Sequence, residues 1–360
     1  MIELKNTEEQ NYVKIAVIGV GGGGNNAINR MIEGGISCVD YIAVNTDNQV
    51  LDESSASMKI QIGKKITGGL GAGANPEVGE KSAIEDLEEI EEYVKDYKIV
   101  FITCGMGGGT GSGAAPVIAK CCKDKGILTV GIVTRPFEYE GEPKQIISDN
   151  AIAKLRENVD TLIIIPNDKL LDIYADMTFD DAFKKADEIL NYAVRGITNI
   201  IVNKGTINLD FNDVCTVIKD KGLAHLGIGT SKGNDSVMDA LNKALNSPLL
   251  ETTIEGASCV LFNVEGKAGL KELNEAAKTI QGIAGKGVNI LWGTVGCSKD
   301  EDEITVTIIA TGINENSRFK ENSKTNTLKS DTYLGHSTRN IQPEVDLKPL
   351  DIPSFLKRGR

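Results

Sequence analysis

The feature that most constrains the fold is a glycine-rich segment, residues 105–113, whose sequence is Gly-Met-Gly-Gly-Gly-Thr-Gly-Ser-Gly. An apolar run typical of a buried strand, residues 99–104, precedes it. Residues 114–120 follow it and are typical of a helix with Pro116 in its first turn. Glycines let backbone N–H groups approach phosphate oxygens, and the N-terminus of a helix favours negative charge. The segment therefore predicts a phosphate site, although it lacks the Lys-Ser or Lys-Thr pair of a P-loop.

The composition excludes several classes of function. The 360 residues suffice for two globular domains, and the net charge of −12 argues against binding of nucleic acid by the chain as a whole. No apolar run approaches the roughly 18 residues that span a bilayer, and residues 1–11 lack the apolar region of a signal peptide. Seven cysteines without a Cys-x-x-Cys pair indicate reduced thiols, and two histidines make a His-based zinc site improbable. We expect a cytoplasmic protein without direct membrane insertion and without a metal site made of side chains.

Two other glycine-rich turns reinforce the first. Gly19, Gly21 and Gly24 follow an apolar strand and match the G-x-G-x-x-G pattern of dinucleotide-binding proteins, which is weak evidence by itself. The other turn, residues 67–76, precedes a charged helix predicted to run from residue 77 to about residue 94. Because ligands of open α/β sheets bind beyond the carboxyl ends of the strands, we expect all three turns to meet at one edge of a parallel sheet.

The order of the predicted elements indicates an α/β fold with two parts joined by a long helix. Further strands at 40–47, 127–133 and 161–165 complete a Rossmann-like parallel sheet covered on both faces. A long helix is predicted next. Thr178 and Asp181 resemble a capping box at its start, and apolar residues recur at helical spacing from there to Ile201.

The second half of the chain predicts a smaller α/β domain and a tail. Strands at 257–264, 288–295 and 304–311 alternate with helices at 234–245 and 269–283, which fits a four-stranded sheet. The apolar periodicity stops after Gly312. The predicted divisions are a flexible N-terminus (1–11), a nucleotide-binding domain (12–177), a central helix (178–203), a C-terminal domain (204–313), a disordered linker (314–345) and a partner-binding peptide (346–360).

Recognition of a base requires side chains outside the glycine turns. Phe183 and Asp187 lie four residues apart on the long helix and therefore share a face. A carboxylate there could accept hydrogen bonds from N1–H and the N2 amino group of guanine, whereas adenine presents an acceptor at N1. On helix spacing alone, the simpler interpretation makes Phe183 a core residue and Asp187 a solvated acid.

An acidic cluster offers a route to hydrolysis. Asp210 and Asp213, close to Asn208, lie three residues apart at the start of a helical segment, and two carboxylates near a triphosphate could orient the attacking water. The alternative is an N-cap with an acidic first turn. The cluster follows the long helix and should not reach a phosphate bound to the same chain.

Together these motifs resemble the tubulin/FtsZ superfamily, and the match to bacterial FtsZ spans residues 13 to about 313 and the final peptide. Residues 107–113 are similar to the tubulin signature. The other matching motifs, in family order, are residues 21–27, 71–76, 134–137, 166–168 and 208–213. The resemblance implies a GTPase that polymerises head to tail and forms the cytokinetic ring at mid-cell. It also implies that a loop containing Asn208, Asp210 and Asp213 completes hydrolysis of the GTP held by the next subunit.

The resemblance further implies a set of residues that bind GTP or GDP. Those expected to hold phosphates are Gly22, Gly23, Gly24, Asn25, Asn26, Gly108, Gly109, Thr110 and Gly111. Ala72, Gly73 and Ala74 are expected to sense the γ-phosphate. Glu140 and Asn167 are expected to contact the ribose, and Phe183 and Asp187 to bind guanine. Mg²⁺ would be held mainly by phosphates and water. Lys144 stands where the family usually has an arginine, which keeps the charge but loses the bidentate fork.

The final peptide is similar to the FtsZ tail, which implies that it binds membrane-tethering adaptors of the FtsA, ZipA or SepF type. The residues concerned are Leu350, Ile352, Pro353, Phe355 and Leu356. The sequence also leaves two alternatives to an assembly-dependent GTPase. One is a structural filament protein that binds GTP with little hydrolysis. The other is an NAD-dependent oxidoreductase, which would explain Gly19, Gly21 and Gly24 but leaves the other two turns unexplained.

Overall fold

The computed structural model describes residues 13–36, 39–173, 178–202, 211–232, 237–249, 253–266, 268–295 and 303–313. The predictions for Asn208 and Asp210, the N-terminus, the linker and the final peptide lie outside these residues. No helix within the described ranges is long and apolar enough to cross a membrane.

The first half of the chain alternates strands with helices, as predicted. The elements are β1 (Ile15–Val20), α1 (Gly21–Glu33), β2 (Asp40–Asn45), α2 (Asn48–Glu53), β3 (Met58–Gln61), α3 (Lys64–Thr67), α4 (Pro76–Glu85), α5 (Leu87–Val94), β4 (Ile99–Gly105), α6 (Gly109–Asp124), β5 (Leu128–Arg135), α7 (Glu142–Asn158), β6 (Thr161–Pro166) and α8 (Asp168–Ile173). A single 3-10 turn, Glu138–Glu140, lies between β5 and α7.

The long helix and the second half follow. The elements are α9 (Phe179–Val202), α10 (Phe211–Ile218), β7 (Gly222–Lys232), α11 (Val237–Leu245), β8 (Cys259–Glu265), α12 (Leu270–Ala284), β9 (Asn289–Val295) and β10 (Glu303–Thr311). Thr178 Oγ1 accepts a hydrogen bond from the backbone N–H of Asp181 at 3.3 Å, so the predicted capping pair begins α9.

One ten-stranded sheet runs through the described residues, in the order β3-β2-β1-β4-β5-β6-β7-β10-β8-β9. Its first six strands are parallel and have the order of a doubly wound Rossmann sheet. The strand order reverses between β1 and β4, with earlier strands added on one side and later strands on the other. The second part has the expected four strands; β8, β9 and β10 correspond to the three predicted ranges, whereas β7 was not predicted. They join the first six because β7 pairs with β6 over three residues, starting at Thr161 with Gly222.

Helices cover both faces of the parallel strands. On one face α1, α9 and α10 form a core that includes Ile28, Leu190 and Val217. On the other face α4 to α7 form a core with the opposite sides of the same strands, including Ile102 and Ile118. A third core lies between β8, β10 and the helices α11 and α12. The α/β architecture follows from these apolar faces, and it places α9 against strands of both halves.

Two helix predictions need correction. The helix predicted from residue 77 to about 94 is two helices, because Asp86 leaves the helical conformation and its Oδ2 accepts a hydrogen bond from Gly63 N at 2.6 Å. The helix predicted at residues 114–120 begins earlier, at Gly109, so Pro116 lies in its interior and not in its first turn. The glycines of the signature segment are therefore partly helical.

Candidate functional site

The three glycine turns meet where the strand order reverses, between β1 and β4. A Cβ on Gly21 would lie 2.8 Å from Gly111 N, and a Cβ on Gly109 would lie 2.8 Å from Asn75 N. The backbones of the three turns are thus in direct contact, which any side chain at these positions would prevent. The edge of the sheet predicted to bind a ligand therefore contains all three turns.

The N-termini of two helices are open at this edge. The N-cap residues of α1 and α6 are Val20 and Gly108, and neither caps its helix with a side-chain hydrogen bond. The first N–H groups of any helix have no intrahelical partner, and in these two helices the N-cap side chain does not supply one; the helix dipoles also favour negative charge in front of them. Two such N-termini side by side form a good site for a di- or triphosphate.

A cavity of about 180 Å³ extends from the glycine turns to the first half of α9. The predicted site residues that line it are Gly23, Gly108, Glu140, Lys144, Asn167, Phe183 and Asp187. The lining residues that the sequence analysis did not assign are Gly105, Met106, Gly107, Thr134, Pro136, Ala186 and Leu190. The cavity thus joins residues from five separate segments of the chain.

Asp187 is a largely buried carboxylate in this cavity. Its Oδ2 accepts a hydrogen bond from Arg30 Nε at 2.7 Å, and its side chain is 13% exposed. Burial raises the pKa of Asp187 to about 6, and the charge of Arg30 opposes that increase. Tertiary structure therefore contradicts the interpretation of Asp187 as a solvated acid. Arg30 was not predicted, because no local pattern relates residues 157 positions apart.

Phe183 belongs to a small aromatic cluster beside Asp187. Its ring meets that of Phe137 edge to face, with centroids 5.3 Å apart, and Phe137 in turn stacks on Tyr139 at 4.9 Å. Phe183 also lines the cavity, so part of its side chain borders the space in which a planar ligand could lie.

Polar side chains also line the cavity. Glu140 accepts hydrogen bonds from Lys144 Nζ and from Phe137 N, both at 2.9 Å, which fixes its carboxylate. Asn167 follows β6 and is 3% exposed, yet within the described part of the chain its Oδ1 has no hydrogen-bond partner. A buried acceptor without a donor is costly, so Asn167 is suited to accept from a ligand hydroxyl.

The other predicted residues surround this cavity or lie apart from it. Asn25 is 1% exposed, and its side chain bonds to Gly19 O at 2.8 Å and Asn45 Nδ2 at 2.9 Å, so only its backbone can face a ligand. Gly22, Gly24 and Asn26 lie in the first two turns of α1, and Thr110 and Gly111 lie in the first turn of α6. Ala72 contacts Gly109, and Ala74 has a φ of 59°, which is unusual for a residue with a Cβ.

Asp213 is not near the cavity. It lies in the first turn of α10, and the last residue of that helix, Ile218, accepts a hydrogen bond from the Thr161 side chain at the start of β6. The cavity residue Asn167 follows the other end of the same strand. The C-terminal end of α10, five residues from Asp213, is therefore at the opposite edge of the sheet from the cavity, and Asp213 is not one of the residues that line the cavity.

Comparison with known proteins identifies the family. The model of the tubulin/FtsZ family GTPase domain matches residues 14–175, and that of the FtsZ family C-terminal domain matches residues 222–314. An empty FtsZ dimer from M. jannaschii is 43% identical, with a TM-score of 0.82, and the match covers 84% of this chain and 89% of that one.

Two more distant structures share the fold. CetZ1 from Haloferax volcanii, a GDP-bound monomer, is 22% identical with a TM-score of 0.72. CetZ2 from the same organism, a GTPγS-bound protofilament, is 20% identical with a TM-score of 0.70. Each match covers 86% of this chain and 97% of the other. The identity to the M. jannaschii protein and both family models confirm the resemblance found in the sequence, and the chain belongs to the FtsZ family of tubulin-like GTPases.

Proposed function

We propose that this protein is a GTP-dependent, self-assembling cytoskeletal GTPase that forms the cell-division ring at mid-cell in the cytoplasm. The observation that carries the proposal is a buried carboxylate, Asp187, in a cavity that leads to two open helix N-termini. We also propose the division into domains at 12–177, 178–203 and 204–313, which the ranges of the two family models support.

The cavity suits a guanine nucleotide. The carboxylate of Asp187 accepts from N1–H and the N2 amino group of the base, and Phe183 stacks on its ring. Glu140 and Asn167 accept from ribose hydroxyls. The phosphates lie against the N-termini of α1 and α6, close to the turn that contains Ala72, Gly73 and Ala74. Mg²⁺ is held mainly by phosphate oxygens and water.

Hydrolysis requires a second subunit. Phe183 and the end of α9 at Val202 are 19 residues apart in one helix, a distance of roughly 28 Å at 1.5 Å per residue. The acids Asp210 and Asp213 follow that far end, so they act on the nucleotide of the next subunit, where they orient the attacking water. Asn208 belongs to the same loop.

Apolar side chains near the nucleotide edge favour contact with another subunit. Leu70, in the second glycine turn, is 84% exposed, and Tyr139 beside the cavity is 52% exposed. Large exposed apolar side chains are typical of interaction surfaces. The related M. jannaschii FtsZ is a dimer in its solved structure, which supports self-association here. We further propose that the final peptide binds membrane-tethering adaptors of the FtsA, ZipA or SepF type.

Phosphate release measured against protein concentration tests the proposal. Turnover per molecule should increase steeply above a critical concentration, and Asp210→Ala should reduce it by roughly 100-fold or more while GTP binding is retained. The matched control is Glu275→Ala, an exposed acid on α12, which should leave turnover unchanged. Turnover that is independent of concentration would contradict the shared site. Binding of GTP without hydrolysis at any concentration would favour the structural filament instead.

Nucleotide affinity should depend on pH through Asp187. The ionised carboxylate accepts both guanine hydrogen bonds, and the protonated form cannot, so affinity should decrease as pH falls through about 6. At pH 5 the affinity for GDP should be about tenfold lower than at pH 7, because about nine in ten free molecules are then protonated. Fluorescence titration across this range measures the effect. Equal affinities at pH 5 and pH 7 would show that Asp187 does not bind the base.

Gly108→Ala should weaken phosphate binding without unfolding the protein. Gly108 has a φ of −87°, which alanine adopts readily, and a Cβ there meets no atom of the described residues within 4 Å, its chain neighbours aside. The methyl group would instead occupy space beside the cavity and reduce GTP affinity by roughly 100-fold. Isothermal titration measures the affinity, and thermal unfolding of the nucleotide-free protein checks the fold. An unchanged affinity would mean that the phosphates lie elsewhere.

A further inference from the structure

Thr46 contacts Thr110 in the first turn of α6, beside the predicted phosphate site, and neither residue is part of the cavity lining. Thr46 follows β2, and none of its side chain is exposed. Its Oγ1 is 2.6 Å from Thr110 Oγ1, and either atom can be the donor. Among the described residues, neither hydroxyl has another hydrogen-bond partner.

The backbone of Thr46 fixes its position between two glycine turns. Its carbonyl oxygen accepts hydrogen bonds from Gly71 N and from Thr67 Oγ1, both at 3.3 Å. Thr46 therefore contacts the turn expected to sense the γ-phosphate through its carbonyl and the signature segment through its hydroxyl. These backbone hydrogen bonds hold the Cα of Thr46 in a position from which its side chain reaches Thr110.

The direction of the Thr46–Thr110 hydrogen bond depends on what Thr110 binds. Each hydroxyl has one proton to donate and lone pairs that accept. Phosphate oxygens accept only, so Thr110 must use its own proton for a phosphate. The Oγ1 of Thr110 is then an acceptor toward Thr46. The buried position of the pair, away from water, makes the loss of either partner costly.

We infer that Thr46 is a positioning residue that donates its hydroxyl proton to Thr110 and thereby directs the Thr110 hydroxyl at a nucleotide phosphate. The inference rests on the proposed function, because it requires a phosphate in front of Thr110. Thr46 touches no ligand itself and acts only through Thr110. The affinity for a nucleoside, which has no phosphate, should therefore be the same with and without the Thr46 hydroxyl.

Four variants and three ligands test the inference. Thr46→Val removes the hydroxyl and keeps the shape, Thr46→Ser keeps the hydroxyl, and Thr110→Val and the double valine variant complete a cycle. Competition titrations measure the affinities for guanosine, GDP and GTP. We expect Thr46→Val to weaken GDP and GTP by about tenfold, with guanosine unchanged and Thr46→Ser close to wild type. Adding Thr46→Val to Thr110→Val should cause no further loss.

The outcomes separate the inference from the proposed function. If Thr110→Val binds GDP as tightly as the wild type, the phosphate does not lie at Thr110 and the proposed site is wrong. If Thr110→Val weakens GDP but Thr46→Val does not, or if the two effects add, Thr46 has no role through Thr110. An equal loss for guanosine would show a merely structural role. Should Thr46→Val not fold, Thr46→Ala provides the same comparison.

Discussion

Asp187→Asn should change the preferred base of the cavity from guanine to xanthine, by roughly 100-fold in relative affinity. Guanine presents two donors, N1–H and the N2 amino group, and both suit a carboxylate. Xanthine presents N1–H as a donor and a carbonyl oxygen in place of the amino group. An asparagine amide offers one acceptor and one donor, which suits xanthine. Competition between GTP and xanthosine triphosphate at pH 7 measures the change.

The environment of Asp187 makes this effect large. The side chain is mostly buried, so an unmatched donor or acceptor there has little access to water. Asparagine has nearly the same shape, and its carbonyl oxygen can still accept from Arg30 Nε. Because an amide does not titrate, the variant should also lose the pH dependence that the pKa of about 6 gives the wild type.

Glu188→Gln is the matched control for this substitution. It makes the same chemical change at the next position of α9, where the carboxylate is more exposed and pairs with Lys185 outside the cavity. Its preference for GTP should be unchanged. An Asp187→Asn variant that still prefers GTP would show that the base is read by other groups, and the orientation of the nucleotide in the cavity would need to be reversed.

Local patterns were enough to predict the parallel half of the fold. Continuous apolar runs such as those of β1 and β4, each leading into a glycine-rich turn, indicate strands that are buried on both faces. The amphipathic pattern of α9 also predicted the long helix, including its capping pair. In these elements propensity, periodicity and turn chemistry all indicate the same structure.

The missed elements depend on contacts between distant residues. β7 has glycines within its length and no clear alternation, yet it pairs with β10 from Ala224 to Lys232, for example Ile228 with Thr307. The helix break at Asp86 similarly depends on a bond to Gly63. Such pairings join segments more than 20 residues apart, so no local pattern reveals them.

The site was predictable in outline but not in detail. Family motifs and spacing identified Phe183 and Asp187, although spacing alone favoured a solvated acid at 187. Burial of that carboxylate against Arg30 becomes visible only once α1 and α9 pack together. The same holds for the hydroxyl pair of Thr46 and Thr110, which joins two segments 64 residues apart.

Gly113→Ala should destabilise the protein by at least about 3 kcal/mol. A Cβ on Gly113 would overlap the carbonyl oxygen of Pro76 and lie 2.6 Å from Glu80 N. Both atoms belong to the backbone of α4, which cannot yield by a rotamer change, so α4 would have to move away from α6. Urea unfolding of the nucleotide-free protein measures the loss as a lower midpoint.

Gly282→Ala provides the matched control, because the same substitution lies in a helix where a Cβ meets no other described residue within 4 Å. It should raise stability by up to about 1 kcal/mol through helix propensity. The damage from Gly113→Ala should extend to function, since the movement of α4 also displaces the glycine turn that precedes it and contacts Gly109. Equal unfolding midpoints for Gly113→Ala and the wild type would mean that the two helices are not in backbone contact. The glycines of the signature segment would then serve only the ligand, and not the contact between α4 and α6.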